Sequence, residues 1–150
     1  MPNNKELKLA LKSRLIRGLT KATLIVFEDA FIRCPVNKKG GHPELRSALR
    51  WEVDEKNLVG KVYVDTKLAP YAPYVEYNTK PHVIKPKGGK KFLAWKDPGS
   101  VYAVKKGKYM GFVFSKIVYH PGTTAQPFLR PALWTNKTRI LQAFAGELTI

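Results

Sequence analysis

The chain opens with a stretch, residues 5–34, in which apolar side chains recur every three or four positions. This spacing places them on one face of an α-helix, while the basic side chains of Arg14, Arg17 and Lys21 fall on the opposite face. Pro35 follows, and proline disfavours helical conformation in the residue before it. The sequence therefore predicts a long amphipathic helix that ends before Pro35, with an apolar face formed by Leu7, Leu11, Leu15, Leu19, Ala22, Val26 and Ala30.

Strand-like patterns follow in the middle of the chain. Residues 50–65 alternate between apolar and polar side chains on both sides of the polar run DEKN, which predicts a β-hairpin. Residues 82–96 and 109–120 predict two more strands, joined by a polar connector near residues 97–108. Residues 131–148 predict a final helix that opens with proline. The expected fold is α+β, with a long N-terminal helix, an antiparallel sheet of about four or more strands and a C-terminal helix in a single domain over 1–150.

The positive charge is concentrated in one region. The chain is 44% hydrophobic, enough to fold in spite of a net charge of +16. Ten lysines and a single acid, Asp97, occur between Lys80 and Lys116. This imbalance indicates a polyanionic or acidic partner, and a solvated face that only keeps the chain in solution is the alternative. The residues expected to contact DNA or an acidic partner are Lys85, Lys87, Lys90, Lys91, Lys105, Lys106 and Lys108.

Patterns that carry enzyme chemistry are missing from the sequence. The single cysteine, Cys34, is interpreted as a buried structural thiol, and the three histidines are too widely separated for a metal site. The sequence has no Walker loop, no GxGxxG and no GxSxG. We therefore expect no catalytic residue, no cofactor and no metal. With neither an apolar run long enough to span a membrane nor a signal-peptide pattern, a soluble intracellular protein without a membrane partner is expected.

Glu76 lies among aromatic residues in the segment PYVEYNT. This segment is expected to form a single helical turn that ends at Asn78. A carboxylate in such surroundings can serve as a general base with a raised pKa. It can also accept hydrogen bonds from nearby backbone N–H groups or pair with a lysine or Arg130. We favour the second interpretation, because no other catalytic group stands near Glu76 in the sequence.

Three motifs together resemble the neck or tail-completion proteins of bacteriophages, a family that includes the minor tail protein Z type. GGHPELRSAL is similar to the pattern Thr-Gly-x-Leu-Arg-x-Ser-Ile. YAPYVEYNT is similar to Tyr-Ala-x-Tyr-Val-Glu-Phe-Gly-Thr. AQPFLRPAL resembles the Pro-Phe-Leu-Arg-Pro-Ala sequence at the end of the family pattern. The chain departs from the family where Asn78 replaces the usual glycine and where GGHPE replaces Thr-Gly. Asparagine tolerates positive φ better than most residues, so the turn can survive.

The resemblance implies a structural role: a ring subunit, six copies to the ring, at the junction between phage head and tail. Its partners would be copies of itself, neighbouring connector and tail-tube proteins, and the DNA passing through the ring. The protein would be assembled in the bacterial host cytoplasm and found in the virion. The residues expected at the interface between subunits are Tyr74, Glu76, Tyr77, Phe128, Leu129 and Arg130.

Alternatives stay open for the function and for the third motif. The basic region also suits a stand-alone nucleic-acid-binding module, with Trp95, Tyr102 or Tyr109 as stacking platforms, or a small basic ribonuclease. Pro127 and Pro131 are expected to hold Gln126 and Arg130 extended. Phe128 is expected to anchor a neighbouring subunit, with packing in its own core as the competing interpretation.

Overall fold

The computed structural model describes residues 3–36 and 45–148. Its contacts divide the chain into two compact units. One unit, here called the helical unit, spans Met1–Asn78 and Ala125–Ile150, and the other, here called the ribbon, spans Thr79–Thr124. The ribbon is inserted in the sequence between two helices of the helical unit. A single domain over 1–150 stays a prediction.

The N-terminal helix, α1, runs over Asn4–Arg33 and confirms the prediction. It begins with a capping box, in which the Asn3 side chain accepts from the backbone N–H of Glu6 and the Glu6 carboxylate accepts from the backbone N–H of Asn3. Its C-cap residue is Cys34, directly before Pro35. The second half of the predicted apolar face is buried at Ala22, Val26 and Ala30, whereas Leu7 and Leu11 near its start are exposed.

The hairpin is confirmed as strands β1 (Leu49–Asp54) and β2 (Val59–Val64), paired antiparallel from Leu49 opposite Val64 to Asp54 opposite Val59. A 3-10 turn, Leu45–Ala48, leads into β1. Gly60 in β2 lies so close to α1 that a Cβ there would clash with Thr23 Oγ1. The hairpin can therefore pack closely on α1 only with glycine at this position.

The remaining helices are α2 (Ala72–Tyr77), α3 (Leu129–Thr135) and α4 (Lys137–Leu148). The prediction of one continuous helix over 131–148 is wrong in two respects. The helix begins earlier, at Leu129, and it is interrupted at Asn136. The buried Asn136 side chain donates to Ala132 O and to Asp29 Oδ2, both at 2.8 Å. An asparagine amide that bonds to the preceding turn and to α1 ends α3 at this point.

The ribbon contains strands β3 (His82–Ile84), β4 (Leu93–Lys96), β5 (Phe112–Ser115) and β6 (Val118–His120). β3 pairs with β6, and β4 pairs with β5, both antiparallel. The prediction of one sheet with four or more strands is wrong for the described residues, in which there are three two-stranded sheets. The physical reason is that each long predicted strand is broken: a turn through Gly88 and Gly89, both at positive φ, separates β3 from β4, and Lys116 and Ile117 separate β5 from β6.

Asn78, which follows α2, adopts φ 77° and ψ 175°, a conformation that is almost confined to glycine. We expect Asn78→Gly to raise the free energy of unfolding by about 1 kcal/mol, because relief of this strain exceeds the extra flexibility of glycine in the unfolded chain. Urea denaturation measures the change. Asn78→Ala is the control and should destabilise the chain. Equal or lower stability of the glycine variant would contradict the assigned strain.

Candidate functional site

The Glu76 carboxylate binds the start of α3. Its Oε2 accepts from the backbone N–H of Phe128 at 2.8 Å and of Leu129 at 3.1 Å. Its Oε1 accepts from the backbone N–H of Arg130 and from Arg130 Nε, both at 3.1 Å. The side chain is buried, with 3% of the residue exposed. One carboxylate thus satisfies three backbone donors and pairs with a guanidinium.

The local sequence explains why a distant carboxylate is needed there. The residue that caps α3, Phe128, has no side-chain oxygen and makes no capping hydrogen bond. The first N–H groups of a helix have no partners within it, and an anion beside them is favourable. Gln126 N donates to Val75 O at 2.8 Å, which joins the segment before α3 to α2. Glu76, one residue later on α2, therefore reaches the start of α3.

Arg130 completes a clasp between α2 and α3. Its Nη2 donates to the Glu76 carbonyl oxygen at 2.9 Å, and its Cζ lies 4.5 Å from the centroid of the Tyr77 ring. The guanidinium therefore binds the carboxylate, a carbonyl near the end of α2 and an aromatic face together. The expectation that Arg130 is extended is wrong, because Arg130 lies inside α3. The hydrogen bonds of the clasp outweigh the local effect of Pro131.

The clasp lowers the pKa of Glu76. Burial alone would raise this pKa, but the hydrogen bonds from the backbone N–H groups of Phe128, Arg130 and Leu129 and from the Arg130 side chain outweigh it. The carboxylate is therefore held in its charged form. This confirms the interpretation that Glu76 caps backbone and pairs with Arg130, and a general base with a raised pKa is the wrong interpretation.

A lowered pKa in the folded state makes stability depend on pH with a definite sign. The contribution of Glu76 is complete above its ordinary pKa of 4.5 and is lost as the pH falls through the lower folded value. We expect the difference in unfolding free energy between the wild type and Glu76→Gln to be largest near about pH 7 and to shrink towards about pH 3. Urea titrations across this range measure it. A difference that is constant with pH would contradict the assignment.

The predicted interface residues divide into buried and exposed groups. Phe128 is completely buried and belongs to the core of the helical unit, so the expectation that it is an exposed anchor is wrong. Glu76 is also buried and occupied by the clasp, and cannot be offered to a neighbour. Leu129 and Arg130 are partly buried, whereas Tyr74 and Tyr77 are exposed. The surface available at this site is therefore formed by the two tyrosines and the outer side of Arg130.

The three motifs meet in one place. Leu45 from the first motif, Ala72 from the second, and Phe128 and Ala132 from the third belong to a single buried cluster. Arg46 lies beside them, with Cζ 5.1 Å from the centroid of the Phe31 ring and Nη2 donating to Ile32 O at 3.3 Å. The first part of that motif, residues 40–44 with His42, lies outside the described residues. Segments far apart in the sequence therefore build one structural unit.

Cys34 is buried in the same cluster, which confirms its interpretation as a structural thiol. Burial raises its pKa to about 11, although the nearby charge of Arg46 acts in the opposite direction. A thiol in this state is protonated at neutral pH and is a poor nucleophile. Cys34 therefore acts as a small apolar side chain.

The predicted lysine contacts are all exposed, in two groups. Lys85, Lys87, Lys90 and Lys91 flank the turn through Gly88 and Gly89. Lys105, Lys106 and Lys108 lie in the loop between β4 and β5, where backbone bonds from Asp97 N to Gly111 O and from Val104 N to Phe112 O order the chain. Within the described residues, none of the seven is within 4.0 Å of a carboxylate oxygen. Their charge is available to a partner.

A groove of about 530 Å³ opens in the helical unit beside the clasp. Its apolar walls come from α1, β2, α3 and α4, and Arg130 and Tyr63 also line it. The sequence did not reveal this groove, because its walls come from four separate elements. The main apolar residues lining it are Leu19, Val26, Val62, Leu133, Ile140 and Phe144.

Comparisons with protein-family models, with curated proteins and with solved structures find no match. Among residues 3–36 and 45–148, no group of three or more His, Cys, Asp or Glu side chains is placed to hold a metal ion. No helix in this described part of the chain is both long enough and apolar enough to cross a membrane.

Proposed function

We propose that this protein is a structural ring subunit at the junction between a phage head and its tail. The observation that carries the proposal is the convergence of the three family-like motifs on one buried cluster, with the glutamate of the second motif bound to the arginine of the third. The residues of the second and third motifs that resemble the family then have a physical role, which is to hold α2 and α3 together.

The helical unit has features that suit contacts between identical subunits. A closed ring uses two different surfaces on each copy, so that an apolar projection on one meets a recess on the next. The groove beside the clasp is such a recess, and the exposed Tyr74 and Tyr77 offer apolar area with a polar tip. In the described residues β1 and β2 pair only with each other, so each retains an outer edge that a neighbour can pair with.

The charge indicates how such a ring would be used. Copies with a net charge of +16 repel one another, so a ring of them is favoured by a polyanion or by acidic neighbouring rings. The exposed lysines of the ribbon provide that contact in the proposed assembly. Six copies, tail-tube and connector neighbours, and a place in the virion follow from the resemblance and are part of the proposal.

Binding to duplex DNA distinguishes the two proposed partners of the lysines, which are DNA and the acidic surfaces of neighbouring rings. If Lys85, Lys87, Lys90 and Lys91 contact phosphates, the slope of log K against log salt should be about −3.6, from ~0.9 per contact. Replacement of all four by glutamine should flatten this slope, because the four phosphate contacts are then lost. A filter-binding titration at several salt concentrations measures it. Absence of binding at low salt, or an unchanged slope, would exclude the DNA contact and favour acidic protein surfaces.

Assembly in infected cells tests the proposed role. Particles produced without this protein should accumulate as filled heads and separate tails, and supplying the wild-type chain should join them. Tyr74→Ala should fold normally and fail to join them, because it removes an exposed ring of the site and no contact of the clasp. Leu7→Ala, an exposed apolar substitution elsewhere, is the matched control. Normally joined particles in the absence of the protein would contradict the proposal.

A further inference from the structure

One face of the ribbon combines exposed aromatic rings with lysines. In the β4–β5 pair, Ala94 lies opposite Phe114, and Lys96 lies opposite Phe112. Side chains alternate along a strand and paired residues share a face, so these four project on the same side. Continuing the register by one residue places Phe92 opposite Lys116, and Tyr109 packs against Phe114. We call this the aromatic face: Phe92, Tyr109, Phe112 and Phe114, with Lys96, Lys108 and Lys116.

Three of the rings form a connected set, and Phe92 lies on the same face. Phe114 packs edge-to-face on Tyr109, with ring centroids 5.7 Å apart, and lies 6.5 Å from Phe112. About half of Phe92 (47%), Phe114 (43%) and Tyr109 (52%) is exposed. Because alanine stands opposite Phe114, no side chain longer than a methyl group covers it from the paired position. Aromatic area of this extent is costly to leave in water and indicates a binding surface.

Lysines surround the same rings. Lys116 Nζ lies 6.0 Å from the Phe92 centroid, and Lys108 Nζ lies 5.8 Å from the Tyr109 centroid. Lys96 projects beside Phe112 in the same register. The ribbon as a whole has ten lysines and one acid. The ligand of this face must therefore carry many negative charges and also present flat apolar groups.

The opposite face of the same strands differs. Trp95 lies opposite Val113, which is buried, and the loop between β4 and β5 also buries Ala103. That side is therefore the packed side of the ribbon, although 38% of Trp95 is exposed. The sequence suggested Trp95 as a stacking platform, but the structure places it away from the aromatic face.

We propose that the aromatic face binds single-stranded nucleic acid, with bases stacked on Phe114, Tyr109 and Phe92 and phosphates held by the lysines. Residues 92–96 extend over about 14 Å at ~3.4 Å per residue, which accommodates about two or three bases. A duplex buries its base faces against one another, and an acidic protein surface has few flat groups to stack. A single strand provides both the charge and the free rings. This inference goes beyond the proposed ring and does not depend on it.

Fluorescence anisotropy with the whole chain tests the proposal. The probes are an oligothymidine of about 16 nucleotides, a duplex of the same length, and polyglutamate as a polyanion without bases. The chain with Lys85, Lys87, Lys90 and Lys91 replaced by glutamine lacks the duplex contact proposed above, and in it we expect the oligothymidine to bind at least about tenfold more tightly than either of the others. Phe114→Leu and Tyr109→Leu should each weaken its binding about tenfold, from the known cost of losing one stacked base, and leave polyglutamate binding unchanged.

Two further variants make the result specific. Trp95→Leu removes an aromatic ring from the opposite face and should change oligothymidine binding less than about twofold. Phe114→Tyr keeps a ring in place and should bind like the wild type. Circular dichroism and melting of each variant identify any that fail to fold. If Phe114→Leu is one of them, the Tyr109→Leu comparison carries the test. The proposal is overturned if, in the variant without those four lysines, the duplex or polyglutamate binds as tightly as the oligothymidine. It is also overturned if Phe114→Leu behaves like Trp95→Leu.

Discussion

Replacing Glu76 by alanine is expected to lower the free energy of unfolding of the helical unit by about 2–4 kcal/mol. The substitution removes the only acceptor that the structure shows for the first two N–H groups of α3, Leu129 N and Arg130 N, and for the N–H of Phe128. It also leaves a guanidinium without its carboxylate. Buried donors without partners are costly, and here several lose their partner together. Urea denaturation followed by the helical circular dichroism signal measures the loss, because the described helices all belong to this unit.

Two other substitutions in the clasp separate its parts. Glu76→Gln keeps one oxygen acceptor and should lose less stability than Glu76→Ala. Arg130→Ala should also lose less, since the Arg130 side chain is 40% exposed and part of its environment is already water. A loss below about 1 kcal/mol for Glu76→Ala would mean that the carboxylate does not hold the start of α3.

The second large effect is expected at Phe128, where alanine should cost about 3–5 kcal/mol of unfolding free energy. Phe128 is completely buried in a cluster with Val26, Ala30, Leu45 and Leu49, so the change leaves a cavity that rigid neighbours on α1 and β1 fill only in part. The same urea experiment measures it. The sequence alone favoured an interface anchor at this position, for which the stability of the free chain would hardly change.

A matched control exists on the adjacent helix. Tyr74 is also aromatic and also belongs to a family-like motif, but 58% of it is exposed. Tyr74→Ala should therefore change stability by less than about 0.5 kcal/mol. Equal, small losses for Phe128→Ala and Tyr74→Ala would contradict the placement of Phe128 in the core.

Local patterns predicted the elements whose signals lie within one short segment. Apolar spacing and Pro35 defined α1 and its end, and alternation around a polar turn defined the β1–β2 hairpin. The positive φ of Asn78 was predicted for the same reason, but its ψ of 175° lies outside the left-handed helical region that asparagine was expected to adopt. In each case the physical cause acts over a few neighbouring residues.

Features that depend on tertiary contact were harder to predict. The break at Asn136 is caused by its bond to Asp29 on α1, which no helix pattern indicates. The burial of Phe128 depends on α1 and β1 covering it. The aromatic face depends on the pairing of β4 with β5 across a long loop, although the alternation of Phe112 and Phe114 along β5 could have indicated that they share a face.

Arg130 was one of several partners that the sequence left open for Glu76. Both residues stand in family-like motifs, and a buried carboxylate requires compensation, which made Arg130 a natural candidate. The three backbone donors could not be predicted, since they depend on the start of α3 at Leu129 rather than Pro131. The structure thus changes the role of the motif residues from an exposed interface to an internal support for the exposed tyrosines.

Three-dimensional reconstruction of phage particles that carry this chain with a small label tests the central claim most directly. The proposed function predicts label density in a closed ring at the junction between head and tail, with the Tyr74 and Tyr77 surface against the neighbouring copy. Particles without label at that junction, or with the chain present there as isolated single copies, would contradict it.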